Sequence, residues 1–129
     1  MKLTREEAIA EFRKMWNWIA DETEKRQAIV DKQTYFRENY LEMVNSACYC
    51  CEYGRQAVIN DLVRRVCDAC PIDFGDHDAD KLLTPCTRME SPYRNWAIAC
   101  CTGEYEGCDW RKAAWCARQI ANLPERVVE

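Results

Sequence analysis

One histidine, His77, is all that the 129 residues carry, and spacing reveals no nucleophile–base–orienter set among the others. Paired carboxylates such as Glu104 and Glu106 are ordinary for a loop, so the chain reads as a non-enzyme. No apolar run approaches the roughly 18–20 residues that span a bilayer. The opening Met-Lys-Leu-Thr-Arg-Glu-Glu is too polar for the apolar centre of a signal peptide. A soluble protein of the cytoplasm is the expectation. There is no glycine-rich phosphate loop, so Asp73-Phe74-Gly75 matches the kinase magnesium tripeptide by letters alone. No third of the chain is basic, and the net charge is −4, which removes the electrostatic footprint of a non-specific nucleic-acid binder. Internal repeats and low-complexity tracts are also missing.

What is present fits one small domain, residues 1–129, with 48% hydrophobic residues and a modest core. Acidic excess concentrates in the middle, where Asp73, Asp76, Asp78 and Asp80 surround His77. A calcium loop needs glycine at its sixth position and glutamate at its twelfth. Gly75 comes too early and the twelfth residue from Asp73 is Thr84, so the segment reads as a solvated loop.

The two ends read as helical. Thr4 and Glu7 form a capping box, and Ala8, Ile9, Phe12, Met15, Trp16 and Ile19 follow as one apolar stripe. Trp18 lies off that stripe and needs a second element to cover it. A second helix is expected from about residue 25 to residue 44, burying Ile29, Phe36, Tyr40, Met43 and Val44, with Asn45-Ser46 at its end. Ser91-Pro92 opens a third, with Tyr93, Trp96, Ala97 and Cys100 at helical spacing and Gly103 closing it. Asp109 caps a fourth, running from Trp110 to about Leu123. The expected fold is mainly α, with helical ends 4–45 and 91–123 around a central loop, 48–90, that has room for a short β-hairpin.

Cysteine is the anomaly: ten of 129 residues, a density that a short secreted chain would use for disulfides. Without an export signal it points to metal or thiol chemistry. Cys48-Tyr49-Cys50-Cys51 and Cys67-Asp68-Ala69-Cys70 each contain a C-x2-C pair, fifteen residues apart. This spacing suits one structural zinc on Cys48, Cys51, Cys67 and Cys70, whose four thiolates fill a tetrahedron with Zn–S of about 2.3 Å. A straight helix between the pairs would hold them about 22 Å apart, at about 1.5 Å per residue. Either the linker folds back or the pairs do not share a metal; the expectation is the fold-back, a short helix or strand out, a turn at Asn60-Asp61 and an extended return through Leu62 to Val66. Cys86 and Cys50 compete for places in the site, Cys86 as a replacement for Cys48, and His77 is a further candidate ligand. Cys50 is expected to point elsewhere. A thioredoxin-like redox site would need a βαβ setting, which the flanking helical patterns do not provide. Cys100 and Cys116 read as core residues, while Cys101 and Cys108 bracket the 103–107 loop as free thiols or a bridge formed in air.

Taken in order, several stretches resemble a group of small multi-cysteine proteins of phages and prophages of Gram-positive bacteria. They are Leu3-Thr4-Arg5-Glu6-Glu7-Ala8-Ile9, Met15-Trp16-Asn17-Trp18-Ile19-Ala20, Cys48-x2-Cys51-Glu52-Tyr53, Cys67-x2-Cys70-Pro71, Cys86, Ser91-Pro92-Tyr93-x2-Trp96, and Ala117-Arg118-Gln119-Ile120 to Leu123-Pro124. The resemblance implies a cysteine-bound zinc in a mainly helical domain, and it carries over Cys48, Cys51, Cys67, Cys70 and Cys86. It also implies an accessory protein in the host cytoplasm that redirects or inhibits a host machine or defence system. The leading expectation is thus a non-catalytic zinc-stapled module that binds a host protein. Five Trp and six Tyr supply amphipathic rings for such contacts, although most rings of a small domain serve its core. The alternative is a zinc-dependent nucleic-acid binder in which Arg55, Arg64 and Arg65 meet phosphate.

Overall fold

The computed structural model describes residues 2–44, 47–62, 69–74, 91–100 and 109–126. Five helices are present in that set: α1 (Arg5–Arg26), α2 (Lys32–Glu38), α3 (Tyr49–Ile59), α4 (Pro92–Ala99) and α5 (Trp110–Ala121). The fold is mainly helical, as its periodicity predicts. None of these helices is long and apolar enough to cross a membrane.

α1 begins at the capping box: the Glu7 N–H donates to the Thr4 hydroxyl at 3.1 Å and the Thr4 N–H to the Glu7 carboxylate at 3.2 Å. Its whole predicted stripe is buried, together with Ala20 and Thr23. The main partner is α5, whose buried face is Ala113, Ala114, Cys116, Ala117, Ile120 and Ala121. Small side chains on that face let the larger groups of α1 fill the interface. Trp16 is the hub, edge-on to Trp96 of α4 with ring centroids 4.8 Å apart, and also in contact with Phe12 and Tyr93. Arg118 of α5 pairs with Asp21 and Glu24 on the outer side of α1.

The second helix differs from expectation. α1 runs on to Arg26, and α2 spans only Lys32–Glu38 behind an Asp31 cap that accepts from the Thr34 N–H at 2.8 Å. Phe36 and Val44 are buried, but Tyr40 is 96% exposed and Met43 lies outside as well. The helix has ended before them, so helical spacing no longer decides which way they face. Trp18 finds its cover here, edge-on to Tyr35 at 5.3 Å with the Arg26 guanidinium over its ring. Asn45-Ser46 lies outside the described residues.

Three helices end in the same way, and none of them on glycine. Gln27, Tyr40 and Asp61 all have left-handed backbone, with φ of 52°, 56° and 58°. In each case the next N–H reaches back to a carbonyl five residues earlier: Ala28 to Thr23, Leu41 to Phe36 and Leu62 to Ala57. This is the Schellman closure, which satisfies carbonyls that the helix leaves unpaired.

The central segment is not loop throughout, since it opens with α3. The predicted turn is found at Asn60-Asp61, directly after this helix. Its return from residue 63 to 66 lies outside the described residues, as does most of the stretch where a hairpin was expected. Among the described residues the β-structure is a single antiparallel bridge, Ile72 to Glu125. Hydrogen bonds extend it, from the Asp73 N–H to the Pro124 carbonyl at 2.9 Å and from the Arg126 N–H to the Pro71 carbonyl at 2.7 Å. Arg5 and Arg13 of α1 donate to the Arg126 and Leu123 carbonyls and hold this clasp against the bundle.

Candidate metal centre

The first cysteine pair sits at the start of α3. Cys48 is its N-cap, in extended backbone (φ −144°, ψ 120°), and Cys50 and Cys51 are in the first turn. An N-cap side chain lies over the second and third helical residues, so Cys48 can meet both Cys50 and Cys51. The turn is fixed by its neighbours. Tyr49 packs on Phe36 of α2, with ring centroids 5.7 Å apart, and faces the Tyr35 hydroxyl. The Leu3 N–H donates to Gln56 Oε1 further along α3, at 3.0 Å. Buried Glu52 is closed by Arg55, bidentate with a shortest contact of 2.7 Å.

Cys70 arrives from the other pair, positioned by the clasp that follows it. Its thiol donates to the Ile72 carbonyl at 3.6 Å, and Ile72 itself is fully buried. Cys50 lies between the two pairs, close enough to both Cys48 and Cys70 to shift their protonation, and Cys51 acts on Cys48 in the same way. Cys50 is 1% exposed and belongs to the main core, and both Cys48 and Cys70 pack against that core.

These contacts set the protonation pattern. Hydrogen bonds from Cys50 and then Cys51 hold the Cys48 thiol well below its ordinary value, against the opposing effect of burial. Cys70 is lowered by its bond with Cys50. Cys50 is pushed far up, by Cys48 first and Cys70 second, and so keeps the proton that its neighbours share. The α3 N-terminus adds its free N–H groups and positive end to this favouring of thiolate. None of Cys48, Cys50, Cys51, Cys70, Cys100 and Cys116 is in a disulfide.

Of the sequence-derived ligand set, Cys48 and Cys70 are brought to one place, with Cys51 beside Cys48. Cys67, Cys86 and His77 lie outside the described residues. Among the described residues no group of three or more His, Cys, Asp or Glu side chains is arranged to hold a metal ion; the sulfurs meet in pairs. Cys50, a competitor for a place in the site, lies beside Cys48 and Cys70 and does not turn away from them as its place inside the first pair suggested. The C-x2-C pattern hides this, since it assigns the intervening residues no role. Cys116 is core as expected, its thiol raised by burial, and Cys100 packs against the core at the end of α4. Cys101 and Cys108 lie outside the described residues.

Arg55, a candidate for phosphate contact, is committed to Glu52, and Arg64 and Arg65 lie outside the described residues. Compared with protein-family models, curated proteins and solved structures, the chain matches none.

Proposed function

We propose that this protein is a non-catalytic accessory protein of the phage type it resembles, in which the cysteine cluster holds one structural zinc and the helical surface binds a host protein. The observation that carries the metal reading is the meeting of both cysteine pairs, Cys48 from one and Cys70 from the other, through Cys50. Thiols held toward the thiolate form at a helix N-terminus are the donors that zinc takes. Cys48 and Cys70 serve as ligands, and the other positions come from Cys50, Cys51, Cys67 and Cys86. A bound zinc would supply cross-linking, joining α3 to the 69–74 segment. Four thiolates leave no open coordination position, which suits a staple and not a reaction centre.

The surface supports the binding half of the reading. Most described rings are core, yet Tyr40, Leu41 and Met43 stand out after α2, and Trp115 of α5 is 62% exposed. Large apolar groups left outside suit contact with a protein, and the acidic net charge suits a partner other than nucleic acid. The host cytoplasm is the place of action, and inhibition of a host machine or defence system is the role.

Elemental analysis of the purified protein tests the first half, with about one zinc per chain expected. A protein without metal, or with iron, would overturn it, and two zincs would place a second site among the C-terminal cysteines. For the second half, a host protein retained by the wild type should be lost by Trp115→Glu or Tyr40→Ser. Binding to plain DNA or RNA that falls steeply with salt would favour the nucleic-acid alternative instead.

A further inference from the structure

We infer that the outer face of α5 is a docking site for an acidic segment of a partner protein, one that presents carboxylates around an apolar side chain. This rests on the binding reading above and names the chemistry of the partner. The face centres on Trp115, which is 62% exposed. Residues three and four positions apart are neighbours on a helix surface, so the ring is bordered by Arg111, Lys112, Arg118 and Gln119. Three of those four are cations. α5 contains no acidic residue, in a chain whose net charge is −4. Positive charge is thus gathered on one face of an acidic protein, around an exposed ring.

The cations differ in what holds them. Arg118 is already paired, with Asp21 and Glu24 of α1. Among the described residues Arg111 and Lys112 are in no ion pair, and the Arg111 guanidinium is steadied over the Trp110 ring, 5.2 Å from its centroid. Both sit in the first turn of α5, at the positive end of the helix dipole, where carboxylates stabilise a helix and cations do not. The Asp109 carboxylate at that end is engaged as the cap, accepting from the Lys112 N–H at 3.1 Å. A partner's carboxylates would pair with the two side chains and relieve their repulsion by the dipole together. Trp115 would take the apolar contact, and Trp and Arg are the residue types that most often carry interface energy. The carboxylates of Asp21 and Glu24 flank the patch, which suits a short acidic segment and opposes a strand of phosphates running on past it.

The test is selection of random peptides displayed on yeast by the full wild-type chain, followed by titration of the enriched peptides against variants. Those peptides should be acidic, with an apolar residue among the carboxylates, and Trp115→Ala should weaken them about 30-fold, the loss of a hot-spot residue. Arg111→Glu combined with Lys112→Glu should abolish binding and yet melt at or above the wild type, because carboxylates suit a first turn. Lost binding is then not lost folding. Enriched peptides without acidic character, peptides that bind the double variant as well as the wild type, or no enrichment at all would overturn the inference. Each of these results leaves the binding reading to its own host-protein test, where loss on Tyr40→Ser alone would keep a partner and move it off α5. Oligo-dT or oligo-dU bound by the wild type and lost by the same variants would overturn the inference in favour of nucleic acid. A dimer broken by Trp115→Glu would overturn it in favour of a second copy of the chain.

Discussion

Replacing Tyr40 with glycine should stabilise the protein, although it deletes an aromatic ring. Tyr40 closes α2 in left-handed backbone at φ 56°, where a Cβ crowds the following carbonyl. For an L-residue that conformation costs roughly 1–2 kcal/mol, which glycine avoids. Glycine also loosens the unfolded chain, which takes back about 0.4–1 kcal/mol. The ring contributes almost nothing to set against this, because it is 96% exposed and its removal uncovers no buried surface. A net gain of about 0.5–1 kcal/mol follows. For a domain of this size it should appear as a rise of about 2–4 °C in Tm, read by far-UV circular dichroism at fixed metal content. Tyr40→Ala is the control: it removes the ring but keeps the Cβ, so it should melt with the wild type. The reasoning fails if Tyr40→Gly melts at or below the wild type, or if Tyr40→Ala gains as much.

Asp109→Ala should lower the Tm by removing the cap that accepts from the Lys112 N–H at 3.1 Å, a loss of about 1 kcal/mol in a denaturant titration. Cys70→Ser should lower zinc content and melting temperature together, since metal binding is coupled to folding. Cys116→Ser, by contrast, should cost about 1–3 kcal/mol for a buried hydroxyl without a partner and leave the zinc content unchanged. Alkaline melts should single out Tyr49, whose phenol is pushed from 10.0 up to about 12 by burial first and by Tyr35 and Glu11 next. The folded state keeps that proton after the unfolded chain has released it, so the stability it contributes is full below pH 10 and is lost between there and about 12. Tyr49→Phe should flatten that part of the profile, and identical alkaline limbs for the two proteins would refute the assignment.

Sequence pattern carried the fold where local chemistry and burial agree. The Thr4–Glu7 box, the α1 stripe, and the Ser91 and Asp109 caps were all legible, because each is set within one or two turns. The segment between α1 and α3 was not. With no glycine at Gln27 or Tyr40, nothing at those positions announces a helix end, and the apolar spacing of Tyr40 and Met43 imitates a buried face. Asp31 followed by Thr34 was a readable cap that the longer apolar pattern overrode. At the candidate site the fold-back at Asn60-Asp61 followed from the reach of one ion. The place of Cys50 did not, since it depends on where Cys70 is held. Cys70 is in turn held by pairing between Ile72 and Glu125, more than fifty positions apart in sequence, for which neither segment carries a strand pattern.

That pairing has a consequence for how the protein comes into being. A ribosome delivers α1 first, but the helix it packs on most is α5, and the clasp behind Cys70 closes on residues 124–126. Until those residues emerge, α1 has an uncovered aromatic stripe and the thiols of α3 have no fixed counterpart. A helix that relies on such a distant partner gains little until both have been made. Between the making of α3 and of α5 the nascent chain therefore carries its cysteines open to stray metals, oxidants and one another. Correct loading then waits on completion of α5 and the clasp, and is not set by first exposure of the thiols. Expression with scarce zinc, or with a slow-translating stretch before residue 110, should then yield mispaired cysteines in preference to slowly folding protein.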